Sequence, residues 1–265
     1  MIVNYIFIVV PMVFDLIQQF LNNPLNWLLF LTCGLLIGMA KTGLSGAGLM
    51  IVPIMAGIFG GKLSVGIVLP MLIFADIFAV SYYHRFANWR YVLLALPWAL
   101  AGVVIATIFG NWIDDEMFKS FIAIIILAGI ILMIIQDSLI KSKNIPDYWW
   151  FAAILGLTGG FTTMIGNAAG PVMSLYLLAM HLPKNSYIGT SAWFFLIINI
   201  LKVPFHVFSW HTISAQTLML DLTVIPAILL GIFLGIKTVR ILPENIYRYF
   251  IIISTVLASL LLIRI

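Results

Sequence analysis

The chain has 265 residues, 63% of them hydrophobic and only 8% charged, where soluble domains run about 45–50% apolar and about 25% charged. That excludes a soluble domain, and recurring apolar runs of about 20 residues without period-two alternation exclude a β-barrel, leaving an all-α polytopic protein whose first partner is the lipid bilayer. The net charge of +4 comes from cations spread singly at helix ends and in short loops, so no nucleic acid is expected to bind, and the lone Cys33 excludes an intrachain disulfide or thiolate cluster.

From the amino end, residues 1–26 read as a hydrophobic or interfacial helix. The run 2–21 has no cationic leader and no small-residue cleavage site, so it does not read as a signal peptide. Asp15, Gln18 and Gln19 make it less apolar than the later segments. Residues 27–136 form a first transmembrane repeat, in which the apolar stretch 27–59 is broken at 41–48, KTGLSGAG. Two arms of about 14 residues, rising about 1.5 Å each, reach about 21 Å, which suits a re-entrant hairpin rather than two crossings of a core about 30 Å thick. Three spanning helices come next, at 64–83, 91–112 and 118–136. Residues 137–149, with Lys141, Lys143 and Pro146, form a cytoplasmic linker. Residues 150–265 repeat the plan: a hairpin at 150–180 broken at 162–170, TTMIGNAAG, then helices at 187–208, 218–239 and 247–263.

The two repeats rhyme. Gly34, Gly38, Gly48, Lys62, Ser64 and His84 return 122 positions later as Gly156, Gly160, Gly170, Lys184, Ser186 and His206. Further on the offset is 129, pairing Pro97 with Pro226, Gly102 with Gly231, Asp115 with Glu244 and Phe121 with Phe250. Assigning Lys- and Arg-bearing loops to the cytoplasm places Arg85, Arg90, Lys141, Lys143, Lys184, Lys237 and Arg240 inside. Asp114, Asp115, Glu116 and the uncharged turn 209–214 fall outside, with Lys62 against the rule. One half is then inverted relative to the other, a plan by which secondary transporters build a midplane site from interrupted helices.

The first break supplies the candidate substrate-binding residues Lys41, Thr42, Ser45, Gly46 and Gly48. Its glycines and hydroxyls leave backbone N–H groups free, and the helix starting near Gly48 turns its positive dipole end to the gap. An ammonium between apolar arms is costly unless it meets a partner, a cavity or a ligand. The pattern suits an anion; the alternative is close helix packing, with Lys41 reaching to the surface. The second break supplies Thr162, Thr163, Gly166, Asn167 and Gly170. Asn167 stands where the first break has Ser45, and Pro171 is pre-set for a helix start. These groups offer neutral hydrogen bonds to a ligand or cap the half-helices.

Lys202, just before Pro204, either contacts the substrate or extends to the outer interface. Asp76 is the deepest acid of the first repeat and the candidate coupling residue, relaying a proton or pairing with Lys41 or Lys202. Asp221 is expected near enough to the outer interface to stay solvated. His84 and His206 fall on opposite sides, cannot share a metal, and read as interfacial structural histidines. Trp193 falls inside a helix, where it can touch a ligand. Neither metal nor cofactor is expected. No hydrolase elbow, phosphate loop, dinucleotide fingerprint or HExxH occurs, and no two acid/base groups converge at equal depth, so no enzymatic activity is expected.

At these residues the chain resembles the TauE/SafE sulfite exporter family, also called the TSUP anion transporters. The resemblance rests on GLLIGMAKTGLSGAGLMIVPIM at 34–55, Pro70, the loop RFANWR at 85–90, and a weaker second copy, GLTGGFTTMIGNAAGPVM, at 156–173. It covers nearly everything after residue 25. Where the chain has Ser45-Gly46-Ala47-Gly48, family members commonly carry a denser glycine run. The resemblance implies a multi-pass protein of the cell (inner) membrane that moves sulfite, sulfonates or related small sulfur-containing anions, usually outward. Joined to the repeats, it gives a secondary transporter working by alternating access, with the anion held between 41–48 and 162–170 and a proton as coupling partner through Asp76. A passive anion channel with the same site is the second reading, and a membrane-embedded enzyme the third.

Overall fold

The structure, a computed structural model, describes residues 18–19, 22–42, 47–140 and 149–238, and every regular element among them is helical. Helix α1 (Pro24–Lys41) begins where the Asn23 side chain accepts the Leu25 N–H at 2.9 Å and Pro24 fills a first turn that needs no donor. It ends at the break, where the Thr42 hydroxyl donates back to the Gly38 carbonyl at 2.9 Å. The first half continues with α2 (Ala47–Phe59), α3 (Gly61–Tyr83), a single 3-10 turn His84–Phe86, α4 (Trp89–Trp112) and α5 (Asp115–Ile140). The second comprises α6 (Trp149–Gly166), α7 (Gly170–Ala179), α8 (Lys184–Pro204) with a π-turn at Phe205–Ser209, and α9 (Ala215–Thr238).

Seven helices among the described residues are long and apolar enough to cross a membrane. The exceptions, α2 with 13 residues and α7 with 10, are the return arms of the two broken segments. The helix expected at 247–263, most of the linker (141–148) and residues 1–17 lie outside the described residues. Helices α3, α4 and α5 start two or three positions before their apolar runs, and in α3 and α5 aspartates serve the first turns. Asp115, opening α5, accepts the N–H groups of Gly61 and Lys62 at 2.8 and 2.9 Å, and the Lys62 ammonium donates to the Ile113 carbonyl at 2.9 Å. Lys62, the exception to the charge rule, is thus spent on a turn. Gly60, at φ 89°, makes that turn in a conformation side chains rarely adopt.

Three helix pairs set the architecture. Gly38 of α1 lies against the backbone of Ile228 and Gly231 in α9, and Gly231 against Leu35. Gly160 of α6 lies against the backbone of Ala99 in α4, and Gly102 against Leu157 and Phe161. A methyl at any of these glycines would run into backbone, the direct contact by which membrane helices pack. The two sets are the same contact made twice: Leu35 and Gly38 shifted by 122 are Leu157 and Gly160, and Ala99 and Gly102 shifted by 129 are Ile228 and Gly231. The first arm of each broken segment therefore packs, in parallel, on the third long element of the other half. Between these pairs α3 and α8 run antiparallel: Gly66 meets Thr212, Asp76 meets Asn199, and Gly189 meets Tyr83.

Candidate functional site

One face of α8 carries Asn199, Lys202 and His206, spaced so that a helix stacks them one above another. All three are buried, Lys202 completely. The Lys202 ammonium donates to the Thr163 carbonyl at 2.8 Å and the Asn167 side-chain oxygen at 2.6 Å. It also meets the Thr163 hydroxyl at 3.2 Å and the Asn199 oxygen at 3.4 Å. Asn167 reaches it from just past the end of α6 because its backbone is left-handed, φ 50°, a state asparagine tolerates better than most residues. Its amide nitrogen donates to the Val65 carbonyl of α3 at 3.2 Å, which turns its oxygen toward Lys202.

Asn199 works the same way on the other side. Its nitrogen donates to one Asp76 oxygen at 2.8 Å while its oxygen faces Lys202. The other Asp76 oxygen pairs with the Lys41 ammonium at 2.7 Å, and that ammonium sits 4.6 Å above the centre of the Phe195 ring. A continuous polar chain thus runs from Lys41 through Asp76, Asn199, Lys202 and Asn167 to Val65, joining the end of α1, α3, α8 and the second break. Four oxygens converge on the Lys202 nitrogen, so a protonated Lys202 finds an acceptor for each of its three N–H groups. In that state the chain holds two cations and one carboxylate.

Of the sequence candidates, this network joins Lys41, Asp76, Thr163, Asn167 and Lys202. Thr42 spends its hydroxyl on the carbonyls of Gly38 and Met39 and packs at Gly235. Thr162 bonds to the Gly159 carbonyl at 3.2 Å. Gly166 packs toward Ile122 and Val52, whereas the matched Gly48 and Gly170 have nothing within 4 Å of where a side chain would begin. Ser45 and Gly46 lie outside the described residues. Two expectations are corrected. His206 is fully buried rather than interfacial, because Pro204 and the π-turn fold it inward onto Thr212. Asp221 is not solvated: it is 6% exposed on a cleft of about 420 Å³ between α3 and α9, lined by Pro70, Met71, Phe74, Leu218 and Leu222, and neither carboxylate oxygen has a hydrogen-bond partner.

Three participants escaped the sequence reading. Asn199 carried a signal, a polar letter three places before Lys202 in an apolar helix. Phe195, four residues further back, is one aromatic among many. The Val65 carbonyl is backbone and leaves no trace in the letters. Among the described residues no three His, Cys, Asp or Glu side chains are grouped to hold a metal. With this geometry in hand, comparison with known proteins gives one finding: a family model described as "Sulfite exporter TauE/SafE" matches residues 30–262. No curated protein and no solved structure matches.

Proposed function

Since the chain belongs to the TauE/SafE sulfite exporter family, a family of membrane transporters, we propose that it exports sulfite, sulfonates or related small sulfur-containing anions across the cell membrane. The observation that carries this reading is the make-up of the polar chain: two lysine nitrogens converge on a single carboxylate, so that with both protonated one positive charge is left over where an uncompensated charge is expensive. A small oxyanion supplies the missing negative charge. It replaces the neutral oxygens of Asn167 and Thr163 at Lys202 with an anionic acceptor, adding charge–charge attraction to the hydrogen bonds.

Alternating access follows from two inverted halves, a reading supported by the duplicated glycine contacts and by the return of α2 and α7 toward the ends from which their first arms set out. The tightly packed pairs α1–α9 and α4–α6 are suited to move as bodies, with the polar chain between α3 and α8 at their seam. Asp76 is the coupling group. Protonated, it releases Lys41 and doubles the cationic charge offered to the anion; deprotonated, it reclaims Lys41 and favours release.

The test is calorimetric binding of sulfite, sulfoacetate, thiosulfate and sulfate to purified protein, with K41A and N167A alongside. Both variants are expected to bind the preferred anion more weakly, K41A because it leaves Asp76 as an unpaired negative charge. Undiminished affinity in both removes the site. Counterflow of labelled sulfite in liposomes is the second arm, expected for alternating access and absent for a passive channel.

A further inference from the structure

We infer that His206 is a second anion contact, one helical turn beyond Lys202 on the way to the end of the bundle where α5 begins. The inference rests on the transport reading above and names the next group the anion meets after leaving Lys202. His206 is 0% exposed, yet only one of its ring nitrogens has a partner: Nδ1 lies 2.8 Å from the Thr212 hydroxyl, and Nε2 has none. Buried polar atoms are nearly always paired, so a bare one needs a reason.

Packing alone does not give that reason. The ring is held on edge by Trp210, centroids 5.1 Å apart, and Trp210 is itself fixed by its indole N–H to the Thr107 carbonyl at 3.2 Å. The Thr212 N–H donates to the His206 carbonyl at 2.9 Å, closing the loop. Everything about this residue is anchored except Nε2. The backbone here is also unusual. Pro204 interrupts regular hydrogen bonding, and the next five residues, Phe205–Ser209, form a π-turn, a geometry that recurs at functional sites.

The charged groups around it set the ligand's sign. On its own helix the neighbour is Lys202; on α3 the acid Asp76 is engaged by Lys41 and Asn199; on α5 Asp115 is engaged by Gly61 and Lys62. A ligand held at Nε2 therefore sits one turn from Lys202, and the acids Asp76 and Asp115 are already paired. A small oxyanion fits in either tautomer: when the Thr212 hydroxyl donates to Nδ1, Nε2 carries the ring hydrogen and donates a hydrogen bond to the anion, and when Nδ1 donates to Thr212, Nε2 accepts the proton of a protonated oxyanion such as bisulfite. Thr212, against Gly66 of α3, and Trp210, against Gly110 of α4, close the route beyond.

Two measurements on the full chain test this. The first compares H206Q, which keeps an N–H donor near Nε2 but loses the ring, with H206F, which keeps the ring against Trp210 but loses the donor. Both are expected to bind sulfoacetate at the Lys202 site, and in liposomes H206F is expected to lose much more flux than H206Q. Equal losses, or full flux in H206F, overturn the inference and assign His206 to packing. The second places H206C in a C33A background and tracks its reaction with a negatively charged methanethiosulfonate reagent added from the side where α5 begins. Sulfoacetate, which leaves the mixed disulfide intact, is expected to slow labelling to half at its own Kd; labelling unmoved by sulfoacetate overturns the inference. Failure of the wild-type protein to bind any of the four anions is a different result and overturns the transport reading itself.

Discussion

The two breaks occupy matched positions and meet their surroundings with opposite polarity. At the first, the break contributes the cation: Lys41 reaches Asp76 on α3 and is neutralised there, with 16% of its side chain still exposed. At the second, the residue matched to Lys41 is Thr163, and the break contributes only neutral acceptors to a cation from α8, the completely buried Lys202. Lys41 thus meets a carboxylate, whereas Lys202 meets only neutral oxygens, which is the difference the proposed anion would use. The matched glycine contacts give the two breaks like surroundings, and the difference between positions 41 and 163 supplies the charge imbalance on which the proposed binding rests.

The sharpest way to break that contrast is K202M. Methionine fills the volume without the charge, so the second break loses the feature that distinguishes it. Anion affinity is expected to fall about 100-fold, the loss of a buried charge-assisted contact on the order of 3 kcal/mol. Titration calorimetry on purified protein measures it, and an affinity within a few-fold of wild type would mean that the first break, not the second, holds the anion.

D76N tests the other side of the contrast and has the smaller effect. The amide preserves the shape that Asn199 contacts and frees Lys41, so both breaks then present cations. Sulfoacetate binding is expected to persist or tighten, by no more than about tenfold on the scale of a single charge-pair change, while the pH dependence of transport in liposomes disappears. Retained pH dependence would take the coupling role away from Asp76.

How much of this the sequence carries depends on which physical signal each part leaves. The helices were legible because spanning a hydrocarbon core demands long apolar runs, and the breaks because glycine and hydroxyl clusters interrupt those runs. The glycine identities at offsets 122 and 129 turn out to mark helix contacts as well: Gly38 and Gly160, Gly102 and Gly231 are where backbones touch. Lys41, Asp76 and Lys202 stood out because charge is rare in such a chain. Their pairing did not, since the choice between Lys41 and Lys202 as partner for Asp76 is made by the antiparallel packing of α3 on α8, which no local pattern encodes. The same packing draws in Asn199. His206 was misread because a residue near the end of an apolar run is interfacial in a straight helix, and Pro204 with its π-turn makes this one anything but straight.

The smallest expected effect on anion binding concerns Asp221, and it separates a buried acid in the polar chain from one outside it. Asp76 has one oxygen in an ion pair with Lys41 and the other hydrogen-bonded by Asn199; Asp221 has neither kind of partner, although it is nearly as well buried. The position matched to it in the first half, 129 residues earlier, is Val92 of α4, also buried. D221V therefore makes the second half more like the first and removes an unpaired polar group from an apolar cleft. Thermal unfolding in detergent should show a gain of about 1–3 kcal/mol, the range over which an unsatisfied buried polar group costs stability, with anion affinity and pH dependence unchanged. Loss of pH dependence in D221V would move the coupling role to α9 and leave the Lys41–Asp76 pair as a structural clamp on the first break.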